Sequence, residues 1–536
     1  MKHLYSFLLS ALVCLSLSAQ NKVSGDSLAA DFHYLVKQLE AAHPDPYTGF
    51  GSKVFFHKQA FDLENELRSQ PHTLQEFWDK SMAFLSFIQD GHTYLFSLAS
   101  KQQQEQSYLP VGFRCIPDGL IVQSLPAAHQ DLLGSLLVGI NGKSMDELLA
   151  RTASLFACEN LYNRYSVFCR NVVRRQFMQQ LLPDLEDTVC FYLRTPDGKD
   201  VTLEQHFMEN EELRKAEKVN LPSWVGCPEE QMAYRFIDKK KEVMMFKVNS
   251  IMARDNFEYM YKHMKGDLLR QMEFYYQNAL KKEMPADTLQ AIRALPSFSG
   301  TFAAMLKEMK KHHSEYLIID LRGNSGGWTP IVLASLYQLY GDKYLQKDMD
   351  TEYYRIVSPL YMNKLEITLE EFNRCYGTDY SFGDYTFSMK EQEDVPLDTL
   401  RRQFIDGCMS SVKEELRAQK GAPVYAPKQV FVVTDERTFS AAFHYAFMLW
   451  KMGATVVGVP SGQAPNTFME QTLFKLPYTG IEGSISNSVQ IFLPGKDKRA
   501  KTFWPDVMLT YDEYKQTGFD KQAEILFLLN KIGQEK

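Results

Sequence analysis

Between residues 315 and 458 the chain alternates short apolar runs with helical stretches, and this alternation constrains the fold more than any other feature. Tyr316-Leu-Ile-Ile319 is a continuous apolar run that ends at Asp320. It leads through a glycine-rich turn into a helix expected over Pro330 to Tyr340. Val430-Phe-Val-Val433 is a second run, again followed by a turn and a helix, and Ala454-Thr-Val-Val-Gly458 is a third. Strands that are apolar throughout must be covered on both faces, and the helices between them supply that cover. The pattern predicts an α/β core with a parallel sheet and crossover helices, spanning residues 314–515. Residues 341–425 interrupt it; they are polar, aromatic and weakly periodic, and read as an insertion.

The remainder divides by pattern. A chain of 536 residues exceeds one hydrophobic core, and about three domains are expected at roughly 100–200 residues each. Residues 27–100 read as helical, with Leu28, Phe32, Leu35, Val36 and Leu39 at helical spacing. The run His43-Pro-Asp-Pro46 breaks that pattern. A second helix is expected from Leu74 to Ile88, with Thr73 as cap and Glu76 placed for a capping box. Residues 108–155 form a small β-rich module, in which Leu136-Leu-Val-Gly-Ile140 runs into the turn dipeptide Asn141-Gly142. Residues 160–313 are a mixed region leading into the core. It holds a hairpin around Thr195-Pro-Asp-Gly198, a strand at Val243 to Val248 and helices over 255–313. Residues 516–536 are expected to close the chain as a helix.

Charge and cysteine content exclude some classes. A net charge of −7 and a pI near 6.0 lack the basic footprint of a nucleic-acid binder. At the N-terminus, Met1-Lys2-His3 precedes an apolar stretch from Leu4 to Leu17 and the small residues Ser18 and Ala19, the layout of a signal peptide covering residues 1–19. The stretch is too short to span a bilayer, which needs roughly 20 residues, and no later run reaches that length. The mature protein is expected to be exported, periplasmic or extracellular, without a membrane span. Of 8 cysteines, Cys14 leaves with the signal, and the others show no Cys-x-x-Cys spacing that would indicate a zinc site.

Three segments can carry chemistry. In Phe431-Val-Val-Thr-Asp-Glu-Arg-Thr-Phe-Ser-Ala-Ala442 a buried strand turns into a helix at Ser440. A serine there lies beside free backbone N–H groups that can stabilise an oxyanion, although a serine before a helix commonly serves only as a cap. In Asp320-Leu-Arg-Gly-Asn-Ser-Gly-Gly-Trp328 the glycines permit close backbone approach, and the loop lacks both the dinucleotide and the phosphate-loop signatures. In Phe87-Ile-Gln-Asp-Gly-His-Thr93, His92 follows a helix end.

Taken in order, these segments resemble the tail-specific (C-terminal processing) serine peptidases and their tricorn-type relatives. The matching stretches are Asp90-Gly-His-Thr93, Leu317 to Gly327, Val430 to Ala442, Ala454 to Gly458 and Trp504-Pro-Asp-Val507. The resemblance implies a crotonase-like or ClpP-like β-α superhelix core, and makes residues 108–155 a PDZ-like module through Leu137-Val-Gly-Ile-Asn-Gly-Lys143. By position Ser440 is the nucleophile, with the backbone N–H groups of Ala441 and of Gly326 or Gly327 as the oxyanion hole. Members of the Ser-Lys type carry a downstream lysine in a Gly-Lys-Gly context; here Pro460 to Phe468 contains none. The tricorn-type alternative places the base at His92. That branch adds a serine before the histidine and a glutamate before the final Pro-Asp, where this chain has Gly91 and Arg499. Asp90, Glu470 and Asp497 are the acids available to orient the imidazole, and His444, four residues after Ser440, is a second candidate base. The implied activity is serine-type endopeptidase action on peptides or proteins, including C-terminal tails, and needs no metal or organic cofactor. Because retinoid-binding modules of the interphotoreceptor type share this core, a non-catalytic ligand- or peptide-binding protein is the alternative.

Overall fold

The structure, a computed structural model, describes residues 22–98, 107–349, 351–387 and 395–534. The expected signal peptide and Cys14 lie outside these residues. No described helix is long and apolar enough to cross a membrane.

The core is a five-stranded sheet in the order Ala233–Phe236, Val243–Lys247, Tyr316–Asp320, Gln429–Thr434, Thr455–Gly458. The first pair is antiparallel and the other three are parallel. Period-two alternation sends neighbouring residues into two different cores. Leu317, Ile319, Val430, Val432 and Val456 pack beneath the helices Phe298–His312, Pro330–Tyr340 and Ala441–Lys451. Tyr316, Ile318, Phe431, Val433 and Val457 pack on the opposite face against the C-terminal helix Ala523–Gln534 and against Ile116 and Ile121 of the β-rich module. This two-sided burial is the reason the strands carry no polar face, and it agrees with the α/β core expected from sequence.

The β-rich module is larger than its sequence pattern indicated. Leu136–Ile140, paired on one side with Gly119–Pro126, pairs on the other with Thr188–Arg194, which pairs in turn with Asp200–His206, and Lys218–Asn220 adds to the far side of Gly119–Pro126. The sheet therefore runs past residue 155 into what reads as a linking region. The missing link is antiparallel pairing between strands far apart in sequence, which leaves no local mark. At the predicted turn, Asn141 and Gly142 both have positive φ, 46° and 75°, as a two-residue type I′ hairpin requires.

A second sheet joins the two ends of the chain. Glu482–Ile491 pairs with Asn466–Lys475 on one side, and on the other with Tyr94–Leu95 and with Glu352–Ile356 from the insertion. The insertion is thus ordered, with further helices at Pro359–Leu365, Leu369–Tyr376 and Leu397–Gly407. Its strand is hard to read locally because the strand it joins buries Ser484, Ser486, Asn487, Ser488 and Gln490 rather than an apolar face. The N-terminal helices Gly25–Ala42, Lys53–Ser69 and Leu74–Ser86 pack on this sheet through Phe474, Leu476, Ile481 and Ile485. The predicted Thr73/Glu76 capping box is formed. Asp31, buried beneath this contact, accepts the backbone N–H groups of Tyr478 and Thr479.

Candidate active site

Ser440 occupies the N-cap of helix Ala441–Lys451, and its side chain makes no capping bond. Its backbone has φ 51° and ψ −127°, a region that costs a non-glycine residue about 1–3 kcal/mol and persists only where the surroundings impose it. Those surroundings are two clamped loops. Gly323 N–H donates to both carboxylate oxygens of Asp435 at 2.9 and 2.8 Å. Thr438 Oγ1 donates to the Leu321 carbonyl at 3.1 Å, and Phe439 N–H to the Asn324 carbonyl at 3.1 Å. The Ser440 N–H itself is held by Gln463 Oε1. Gly326 fits because it has no side chain: with φ at 109°, an added Cβ would lie 2.6 Å from Ser440 Cβ and 2.9 Å from the Ala441 nitrogen.

The donors of the expected oxyanion hole differ in availability. Gly326 N–H donates to Asn324 Oδ1 at 2.9 Å and is engaged. Among the described residues, no acceptor meets the N–H groups of Ala441 and Gly327. These two are the donors left for an incoming oxygen.

His92 approaches from the second sheet. Its carbonyl accepts the Ser484 hydroxyl at 2.9 Å, and the next residues form the strand Tyr94–Leu95. Asp90, fully buried, organises this loop. It accepts the His92 backbone N–H at 2.9 Å, the Thr93 hydroxyl and His43 Nε2 at 3.3 Å. His43 Nδ1 in turn accepts the Asp45 N–H at 3.1 Å, which leaves Nε2 as the protonated nitrogen. Although burial opposes its charge, the hydrogen bond from His43, together with the neighbouring His43 and His92 rings, holds the Asp90 carboxyl down at about 2. The His92 side chain is 7% exposed, and neither ring nitrogen has a hydrogen-bond partner. Burial lowers its basicity, with Asp90 and the nearby Phe468 backbone pulling the other way. Its ring lies 4.9 Å from that of Phe439, the neighbour of Ser440.

One acid beside His92 escaped sequence reasoning. Glu159 Oε1 and Asp90 Oδ1 each lie 3.9 Å from His92 Nδ1. Glu159 also accepts Gly91 N–H at 3.3 Å and Ala464 N–H at 2.8 Å. It sits in Ala157-Cys-Glu-Asn160, a stretch with no periodicity, so nothing local announces it. Asp90, His92 and Glu159 bring ligand-type atoms within 4.8 Å of one another, the described group with the donor set for a cation as well as for a proton.

The other candidates are engaged elsewhere. Glu470 is paired with Arg355 Nε at 2.8 Å. Asp497 caps and pairs with Arg499, accepting its backbone N–H at 2.8 Å. His444 is buried with both nitrogens bonded, Nδ1 to Thr329 Oγ1 and Nε2 to Gln490 Oε1, each at 2.8 Å. Burial, the leading cause, pushes its pKa down to about 4, which leaves it a weak base at neutral pH. Its effect on stability has a definite sign. The unfolded chain takes up this proton near pH 6.5 and the folded chain only near 4, so stability falls as pH drops through that window. A loss of about 3 kcal/mol is expected from this residue alone. Denaturation midpoints measured from pH 7 to 4 are expected to fall less steeply in His444→Gln than in the wild type.

Ser440, His92, Gly327 and Trp328 line one cleft of about 2270 Å³ between the N-terminal helices, the β-rich module and the core. Residues 291–482 match Peptidase family S41, a span that includes both loops clamped around Ser440. Over that segment the likeness is to a peptidase family. No curated protein matches the chain in sequence. Among solved structures, mature CPAF is 14% identical with a TM-score of 0.55, over 95% of this chain and 98% of that one. Mature CPAF complexed with lactacystin is 14% identical with a TM-score of 0.54, over 94% of this chain and 97% of that one. At that identity the likeness is one of fold, and it extends over the helical region and β-rich module as well as the core.

Proposed function

We propose that this chain is an exported serine peptidase, periplasmic or extracellular, that cleaves peptide bonds by acyl transfer from Ser440 with His92 as general base. The observation that carries the reading is the state of the Ser440 hydroxyl. It stands at a helix N-cap in a strained backbone conformation, makes no cap, and lines the same cleft as a buried histidine with unoccupied nitrogens. A serine that only ended a strand or began a helix would need none of this.

In the proposed reaction a peptide carbonyl enters beside Ser440, and His92 Nε2 takes the hydroxyl proton as Oγ attacks. The oxygen of the tetrahedral intermediate is received by the N–H groups of Ala441 and Gly327, and the N-terminal end of helix Ala441–Lys451 adds its positive dipole. The imidazolium returns the proton to the leaving amine, and water repeats the sequence on the acyl-enzyme. In the present arrangement His92 and Ser440 do not hydrogen bond; such contacts commonly tighten only when substrate is bound. The β-rich module, read as PDZ-like, leaves Asp200–His206 at one edge of its sheet, where the C-terminal tail of a substrate can add as a further strand.

A fluorophosphonate probe tests the assignment. Wild type is expected to be labelled and Ser440→Ala to remain unlabelled. A pure, folded wild type that does not react would favour the alternative, a non-catalytic ligand- or peptide-binding protein on this fold.

A further inference from the structure

The Ser440–His92 reading leaves open what orients the imidazole, since Gly91 and Arg499 stand where the family resemblance would place the supporting serine and glutamate. We propose that Glu159 positions His92, holding a proton on Nδ1 so that Nε2 is left as the basic nitrogen. The inference rests on the Ser440–His92 reading and concerns a residue outside the matched family segment.

Three observations carry it. The first is occupancy. Both carboxylates lie 3.9 Å from His92 Nδ1, but Asp90 is already engaged, through Oδ1 by the His92 N–H and through Oδ2 by His43 and Thr93. Glu159 Oε1 holds a long bond of 3.3 Å to Gly91 N–H, Oε2 takes Ala464 N–H, and the Thr467 side chain also bonds the carboxylate. A carboxyl oxygen has two lone pairs, so Oε1, with one long bond, retains capacity for an imidazole N–H. The second is burial. The Glu159 side chain is 1% exposed, and burial, the leading cause, raises its pKa well above the usual carboxylate range. Such a group gains most from a positive partner, and His92 becomes one only as it takes the serine proton.

The third is the space at Gly91. An added Cβ there would lie 2.6 Å from Phe439 Cζ and 3.0 Å from Glu159 Oε1. Phe439 and the Glu159 carboxylate fill the place that a serine side chain before His92 would take. The departure from the family pattern at 91 and the arrival of Glu159 are therefore one packing change. Closing 3.9 Å to a hydrogen bond needs a shift of about 1 Å, within reach of a side-chain adjustment. Asp90, tied to His43 and to the loop backbone, keeps the loop in shape.

Imidazole ¹⁵N NMR of the full-length protein, with His92 assigned by His92→Gln, reads the tautomer whether or not a substrate is known. Wild type is expected to show His92 as the Nδ1–H form. Glu159→Gln is expected to shift it toward Nε2–H and, on any peptide that is cleaved, to lower kcat by roughly 10²–10⁴-fold with little change in KM. Glu159→Asp is expected to restore part of both. Asp90→Asn is expected to lower thermal stability and to leave the tautomer in place. The proposal is overturned if Glu159→Gln keeps the wild-type tautomer and kcat, or if Asp90→Asn rather than Glu159→Gln changes the tautomer. An unreactive Ser440 with a Glu159-dependent tautomer would instead remove the hydrolase reading and leave the contact standing.

Discussion

Ser440→Ala is expected to lower kcat for peptide hydrolysis by roughly 10⁴–10⁶-fold while KM changes little. As the proposed nucleophile, Ser440 is the one group whose loss no other part of the site can replace. Positioning by the cleft and the Ala441 and Gly327 donors survive the change, so the residual rate stays above that of the uncatalysed reaction. Stability is expected to move little, because the hydroxyl caps nothing. Ser440→Gly sharpens the test. Glycine accepts a φ of 51° without steric cost, so this variant is expected to be as inactive as Ser440→Ala and more stable than wild type by about 1 kcal/mol. Turnover of a denatured protein substrate and the thermal midpoint, measured together on the three proteins, check both halves. Equal stability of Ser440→Gly and wild type would show that the backbone at this serine is not strained.

Glu524→Ala is expected to cost about 3–5 kcal/mol of folding stability. The side chain is 2% exposed and receives Arg114 at 2.7 Å, Arg322 at 2.8 Å and the Tyr514 hydroxyl at 2.7 Å. Removing it leaves the Arg114 guanidinium buried with no carboxylate, and Arg322 with Asp320 alone. The damage should reach the active site, because Arg322 begins the glycine-rich loop that presses on Ser440. The pH dependence follows from the shifts. Arg114 and Arg322 hold the Glu524 carboxyl below its ordinary value, and Arg322 and Lys247 do the same for Asp320, both against the opposing effect of burial. Their stabilisation is complete above the ordinary carboxylate range and is lost as pH falls toward the native values. Denaturant midpoints at pH 7 are expected to drop sharply in Glu524→Ala and less in Glu524→Gln, which keeps hydrogen-bonding atoms in place.

What could be read from the sequence was what local pattern encodes. The strands at 316, 430 and 455 announce themselves because each is buried on both faces and must be apolar throughout. The helix over Pro330 to Tyr340 and the capping box at Thr73 are equally local. Ser440, His92 and the glycine-rich loop were found through resemblance, since no single one of those segments stands out chemically. Glu159 and the strand Glu482–Ile491 were not found. The first acts through contacts across a fold whose pairings are long-range, and the second buries serine, asparagine and glutamine where a strand pattern calls for apolar side chains. Glu470 and Asp497 look as suitable in sequence as Glu159; their pairing with Arg355 and Arg499, and the 3.9 Å approach of Glu159 to His92, separate them from it.

The cluster around Glu524 also bears on how such a protein can change over generations. Arg114 comes from the β-rich module, Arg322 from the core and Glu524 from the C-terminal helix, so one carboxylate answers to three parts of the chain. A fully apolar replacement of such a cluster can be as stable as the original. Every route to it by single steps, however, passes through a chain with an uncompensated buried charge. The three positions are therefore locked to one another, and the arrangement of module, core and helix is locked with them. Cleft residues outside such pairs, Met252 and Leu333 among them, carry no such constraint, which leaves the lining free to drift on a framework that cannot.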